Sequence, residues 1–214
     1  MKKVIGICGL IGHGKDTAAE FLIAEGYQRI SFAGVLKDAC ANIFGWDRIL
    51  LEGNTPESRA FREMPDQWWS NRLGIDNFTP RYALQHVGTD VLRTHFHPDI
   101  WVAACERQID MAEKNVVISD CRFFNELDAI RNLGGTTAVV WRHDKPDWWK
   151  TAVTTNTTPN DKEWLIYDEG NHMEVVYPEV HKSEWSWAGW NFDIDLQNTS
   201  TLDQLKEQTL ELLS

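Results

Sequence analysis

The chain has 214 residues, of which 43% are hydrophobic and 25% charged, enough for one soluble domain with a substantial core and an inserted lobe. Its formal net charge of -11 argues against a broad surface tracking a nucleic-acid polymer, whereas small anions can still be held where Lys and Arg gather in a cleft. No stretch approaches membrane-spanning length, and Cys8, Cys40, Cys105 and Cys121 are scattered without a C-x-x-C pair, so reduced thiols in a cytoplasm are expected.

Val4 to Cys8 is a compact apolar run, expected as a strand buried on both faces. The basic opening before it resembles an export signal, but the apolar run breaks too early at Gly12-His13-Gly14-Lys15. Residues 17–24 have helical spacing and Gly26 ends them; 27–32 can form a second strand, and 35–44 a second helix. Residues 45–80 show turn residues, Trp68-Trp69 and mixed charge without a clear period. Helices are expected over 81–96 and over 98–114, the latter capped by Asp99. Residues 115–120 form the clearest strand, ending in a carboxylate, followed by a helix over 125–135 closed by glycine and a strand over 136–142. From 143 to 190 the composition changes, seven of the eleven tryptophans falling between Trp141 and Trp190. A last strand over 191–198 and an amphipathic helix over 201–213, opened by a Ser or Thr cap, complete the chain. Strands alternating with helices imply a mostly parallel, five-stranded sheet covered on both faces, with ligands at the strands' carboxyl ends.

The turn after the first strand, GLIGHGKDT, nearly spells G-x-x-x-x-G-K-[ST]. Gly9, Gly12 and Gly14 allow a sharp turn that leaves backbone N–H groups free for phosphate, His13 lies within it, and the next helix offers its positive end. Lys15 would reach the outer phosphates of ATP. Asp16 stands where a hydroxyl normally ligates Mg²⁺, with Thr17 one place late. Adenylate-kinase-type enzymes have G-K-G-T, and Asp16-Thr17 is similar to that arrangement with the glycine replaced. Asp16 either holds Mg²⁺ through water or simply favours the helix N-terminus; Thr17 and Asp120 are the other Mg²⁺ candidates.

Four blocks resemble the deoxynucleoside monophosphate kinases of tailed bacteriophages: GLIGHGKDT, SFAGVLKDA (31–39), LQHVGTDVLRTHFHPDIWV (84–102) and VVISDCRFFNELDAIRNLGGTTAVVWR (116–142). HKSE (181–184) and DIDLQNTSTLDQL (193–205) echo the family's tail. The resemblance implies one P-loop kinase domain over 1–214, a three-layer sandwich with a substrate-side insertion at 45–80 and a Trp-rich lid at 143–190. It implies transfer from ATP with Mg²⁺ to a deoxynucleoside monophosphate, in a host cytoplasm if the source is a phage. Nucleotides are then the partners, with no nucleic-acid polymer and no membrane; a homodimer stays open. A monophosphate acceptor is already ionised, so no general base is needed.

Lys15, Asp120, Arg122 and Arg142 are the expected catalytic set. Lys37 either holds the acceptor phosphate or is a solvated helix lysine. Arg81, Gln85 and Arg93, at four- and eight-residue intervals, can share a helix face that offers guanidinium forks and an amide to the acceptor. Thr89 and Asp90 belong to the same block or stabilise local backbone. Asp120 orients Lys15 or pairs with Arg122; Glu126 caps its helix or pairs with Arg122. His95, His97 and Asp99 lack a fourth zinc ligand, the paired tryptophans are expected to pack rather than stack on a base, and the acidic groups from Asp161 to Glu184 are expected as a solvated face. The competing readings are a dephospho-coenzyme A kinase type, with Asp38 as base, and a non-catalytic nucleotide-binding module.

Overall fold

Strand–helix alternation resolves into five strands: β1 (Val4–Cys8), β2 (Gln28–Ile30), β3 (Val116–Ile118), β4 (Thr136–Trp141) and β5 (Ile194–Gln197). In this computed structural model, which describes residues 2–157 and 172–213, they are ordered β2-β3-β1-β4-β5 and every neighbouring pair is parallel. The described sheet is therefore wholly parallel, where a mostly parallel one was expected. The chain divides into two compact units, Met1–Ile30 with Ile109–Ser214, and Ser31–Gln108.

The first unit holds the sheet between helices. Along β1, Ile5 and Ile7 enter a core with Ala18, Ala19 and Leu22 of α1 (Lys15–Ala24) and Leu205 of α11 (Leu202–Leu210). Gly6 faces the other way, toward Ile130 of α7 (Phe124–Asn132). The two-residue period of a strand thus builds both sides at once, and neither side can be polar. Thr201 caps α11, its hydroxyl accepting from the Gln204 N–H at 3.3 Å. Between β4 and β5 lie α8 (Trp149–Thr157), α9 (Met173–Val176) and α10 (Lys182–Trp185). The buried Trp149 and Trp187 pack against the half-buried Trp141, their ring centroids 4.9 to 5.8 Å apart, and Asn156 donates to the carbonyls of Trp185 and Ala188 at 2.9 Å each. These tryptophans form a satellite core.

The second unit contains α2 (Gly34–Phe44), α3 (Pro56–Glu63), α4 (Gln67–Leu73), α5 (Pro80–Gln85) and most of α6 (Ile100–Met111). The expected insertion at 45–80 lies within it and is more helical than its composition suggested. Thr55 caps α3 with Pro56 in its first turn, and Asp66 caps α4, which stops at Gly74. These helices of eight and seven residues are too short for their apolar period to stand out. Trp69 packs inward and donates to the Phe44 carbonyl at 3.0 Å, whereas Trp68 is exposed.

The helix expected over 81–96 is α-helical only to Gln85 and then widens into a π-helix, His86–Phe96. Its turns close between residues five apart, as between His97 N–H and the Leu92 carbonyl at 2.9 Å. Two features anchor the widened stretch. A Cβ on Gly88 would meet Leu36 Cδ2 at 2.5 Å, and Trp101 Nε1 donates to the Gly88 carbonyl at 2.8 Å. No described helix is long and apolar enough to cross a membrane.

Gly135 joins α7 to β4 where a Cβ would lie 2.6 Å from the Val4 carbonyl oxygen and 2.9 Å from that of Ile130. Backbone atoms of a strand and a helix yield little, so Gly135→Ala is expected to cost about 1–3 kcal/mol of stability, like other overpacking changes. Urea unfolding measures this, and an unchanged midpoint would show that the α7–β4 connection shifts freely.

Candidate active site

The loop from Gly9 to Gly14 leaves β1 at its carboxyl end and opens α1. Gly9 (φ 146°) and Gly14 (φ 102°) occupy backbone regions closed to L side chains. Space forbids a side chain as well, since a Cβ would sit 2.8 Å from the Val140 carbonyl oxygen at Gly9 and 2.4 Å from Asn198 Nδ2 at Gly14. Asn198 follows β5 and donates to the His13 carbonyl at 2.9 Å. Gly12 faces open space, and the His13 side chain is buried.

Lys15 folds back on the loop, its Nζ donating to the Leu10 carbonyl at 2.9 Å. Burial and then the nearby charge of Arg122 lower its pKa from the usual lysine range. Both effects signal a cation short of anionic partners. Asp16 lies in the first turn of α1, accepts from Ser119 Oγ at 2.8 Å and lies 3.7 Å from Arg29. Thr17 follows it, half-buried.

Arg122, just past β3, does not take Asp120 as its hydrogen-bonded partner. Its Nη1 is hydrogen-bonded to Glu184 of α10 and to the Ser183 carbonyl at 3.4 Å. Burial alone would lower the Arg122 pKa, but Glu184, and more weakly Asp120, raise it. Glu126 is buried, and its Oε2 accepts from the backbone N–H groups of Arg122 at 2.7 Å and Phe123 at 3.2 Å. Glu126 therefore caps α7 and holds the main chain of Arg122. Cys8 Sγ donates to the Cys121 carbonyl at 3.0 Å, and burial pushes its thiol far above the usual range, which leaves it inert. Arg142 directly follows β4 with an exposed side chain, and its backbone N–H donates to His13 Nδ1 at 3.2 Å.

In the second unit Lys37 is neither solvated nor alone, since its Nζ lies 2.7 Å from Glu52. Arg48 also pairs with Glu52, and with Asp38. Burial would raise the Glu52 pKa, but Lys37 and Arg48 hold it below the usual range. Arg81 pairs with Glu63, and Gln85 ends α5 half-buried. Arg93 Nη1 donates to the Pro98 carbonyl at 3.4 Å from within the π-helix. The wider turn between Gln85 and Arg93 changes the angular offset from the one an α-helix would give them. Thr89 accepts at its carbonyl from Thr94 Oγ1 at 3.1 Å, and Asp90 lies 3.1 Å from His86 Nδ1.

No group of three His, Cys, Asp or Glu side chains able to hold a metal occurs among the described residues. The exposed Asp16 carboxylate, anchored by Ser119 and beside Thr17, fits Mg²⁺ bound through water and substrate phosphate, the usual manner of an ion that sheds water reluctantly.

The family described as deoxynucleotide monophosphate kinase matches residues 50–177. The chain belongs to this family. A protein of Acanthamoeba polyphaga mimivirus, provisionally named a deoxynucleotide monophosphate kinase, is 39% identical over 145 residues, covering 62% of this chain and 70% of that protein. Two solved structures are similar over most of the chain. The Thermus thermophilus protein TT1252 has 19% identity and a TM-score of 0.44, covering 99% of this chain and 96% of its own. A dephospho-CoA kinase of Campylobacter jejuni has 16% identity and a TM-score of 0.43, with the same coverage.

This nucleotide kinase of the P-loop class carries near its phosphate loop three side chains that sequence reasoning did not assign to the site: Ser119, Glu184 and Asn198. Glu184 lay within HKSE but was expected on a solvated face. Instead it is 20% exposed and paired with Arg122, while Glu174 and Glu179 are exposed as expected and residues 158–171 lie outside the described part. Glu126→Ala would remove the carboxylate acceptor that the Arg122 and Phe123 N–H groups share in a part-buried place. Its expected cost is about 1–3 kcal/mol, checked by thermal and urea unfolding, and an unchanged stability would mean that water replaces the cap.

Proposed function

We propose that this kinase transfers the terminal phosphoryl group of ATP to a deoxynucleoside monophosphate, releasing a diphosphate for DNA precursor synthesis. The reading extends to a phage-encoded enzyme at work in the host cytoplasm, supported by the resemblance of its sequence blocks to tailed-phage kinases. The observation that carries it is that Lys15 and Arg122 lie at the carboxyl ends of β1 and β3, close enough for the Arg122 charge to lower the Lys15 pKa, in a chain of this family.

The backbone N–H groups of residues 9–17 cradle the donor phosphates, and the N-terminus of α1 adds its partial positive charge. Lys15 leaves the Leu10 carbonyl for the outer phosphates. Arg122, held by Glu184 through one nitrogen, presents its remaining N–H groups to the oxygens of the transferred group. Asp16, Thr17 and Asp120 are the residues that would hold Mg²⁺ through water; when bound, the ion neutralises charge on the phosphates. Arg142 supplies a further positive charge beside the loop. For the acceptor, Lys37 and Arg81 exchange their carboxylate partners for the monophosphate, while Gln85, Thr89 and Arg93 contribute to its recognition. Asp38 is held by Arg48, so it is poorly placed to act as the base a hydroxyl acceptor would need. Nucleotides are the partners in this reading, without a nucleic-acid polymer or a membrane.

A coupled assay of ADP release across nucleoside monophosphates and hydroxyl acceptors tests the assignment. Transfer to deoxynucleoside monophosphates is expected; transfer only to hydroxyl acceptors, or binding without transfer, would replace it. Lys15→Ala should lower kcat at least about a hundredfold while the protein stays folded, the scale of losing a charge-stabilising donor. Arg122→Ala should lower kcat more than it raises the acceptor KM, and Arg81→Ala should chiefly raise that KM. Unaltered kinetics in both arginine variants would leave them as structural ion-pair members.

Residues 143–190 are proposed as a lid that excludes water from the transfer. Saturation with both substrates should protect this segment from proteolysis and change the fluorescence of the buried tryptophans. Unchanged cleavage and hydrogen exchange would make it a static insertion instead.

A further inference from the structure

The phosphate loop holds one side chain that an anion-binding turn does not require. His13 is only 3% exposed, although Ile11, two residues earlier, is 65% exposed. Its ring packs edge-on against Trp141, with centroids 5.9 Å apart, and His143, at 5.5 Å. Nδ1 accepts the Arg142 backbone N–H at 3.2 Å, and the His13 carbonyl accepts from Asn198 Nδ2 at 2.9 Å. An accepting Nδ1 requires the ring proton on Nε2. One residue thus ties the middle of the loop to the first residue beyond β4 and the first beyond β5.

We propose that His13 is a positioning residue that staples the phosphate loop to the ends of β4 and β5, and that only its neutral ring can do so, so that phosphoryl transfer fails in acid when this ring is protonated. The inference rests on reading the loop as the donor site and Arg142 as a residue of that site.

Protonation at Nδ1 would set an N–H against the Arg142 N–H, turning an attraction into a repulsion of two donors. The charged and titratable neighbours offer no compensation. Lys15 comes from the loop and α1, Arg142 and His143 come from the end of β4, and Asn198, beyond β5, is uncharged. Only the Val140 backbone, by hydrogen bonding, favours the charged ring, and burial together with the three cationic or titratable neighbours outweighs it. The pKa of His13 in the folded protein therefore lies below the ordinary histidine value of 6.5. The sign follows: the unfolded chain takes up this proton first, so both the staple and its contribution to stability are complete above 6.5 and fade as pH falls through the lower folded value.

The test compares His13→Asn, whose Oδ1 can accept at the place of Nδ1 but cannot be protonated, with His13→Ala, which has no acceptor. Each protein's kcat at saturating substrate is measured from pH 5 to 8 and expressed relative to its own value at pH 8. Dividing the wild-type profile by that of His13→Asn cancels the titration of the substrates, which is common to both. The ratio should fall about tenfold per pH unit once below the folded pKa of His13, following the neutral fraction of one group. The ligand-free wild type should also lose melting temperature relative to His13→Asn over the same range. At pH 8, His13→Asn should keep more of the wild-type kcat than His13→Ala does. A flat ratio, or equal losses in the two variants at pH 8, overturns the staple. Failure of the donor-site reading is seen separately, as wild-type turnover in Lys15→Ala.

Discussion

Two cations, Lys15 and Arg122, lie near one another at the carboxyl ends of adjacent parallel strands, and much of the first unit is arranged to make that tolerable. Burial, and after it their repulsion, lowers the pKa of Lys15. A carbonyl oxygen of the loop takes up the lysine, a carboxylate brought from α10 takes up the arginine, and Glu126 fixes the backbone from which the arginine springs. The apolar strands beneath cannot serve as a counter-charge. The site thus concentrates positive potential for phosphate inside a chain whose overall charge is strongly negative.

The same strands explain why so much of the fold was legible. Strands buried on both faces must be continuous apolar runs, and parallel neighbours must be separated by helices, so VIGIC, VVI and TAVVW stand out between helical stretches. Residues 45–80 were opaque for the opposite reason. Their helices are short and owe their ends to single residues, Thr55, Asp66 and Gly74, which mark turns equally well. The π-helix was not readable either. Its Gly88 is packed by Leu36 and hydrogen-bonded by Trp101, both outside it, and nothing in its own sequence opposes an ordinary α-helix.

The phosphate loop was legible because its demands are local: glycines where φ is positive, a lysine at the helix start, a strand before it. The residues that hold the loop and its arginine were not, because each is supplied from afar. Asn198 reaches His13 across 185 positions, and Glu184 reaches Arg122 across 62. An asparagine after a strand or a glutamate on a four-residue helix has no pattern that separates it from a surface residue. Lys37 and Arg81 show the complementary gap. Their types suggested phosphate, but their carboxylate partners, Glu52 and Glu63, could not be inferred from spacing.

Those pairings bear on how such a kinase can bind tightly charged substrates and still release them. Lys37, Arg81 and Arg122, one in each of three places, already hold a carboxylate. In the proposed reading, phosphate binding by these cations is an exchange of anions rather than the filling of bare positive charge, so the carboxylate's loss offsets part of the gain. For Arg122, proposed to face the transferred group, the swap is completed as charge spreads over that group's oxygens. There the proposed exchange weakens ground-state binding more than transition-state stabilisation, whereas for Lys37 and Arg81 it tempers acceptor binding. Among the described residues Lys15 differs in donating to a neutral carbonyl, which in the proposed reading it leaves for the outer phosphates of the donor.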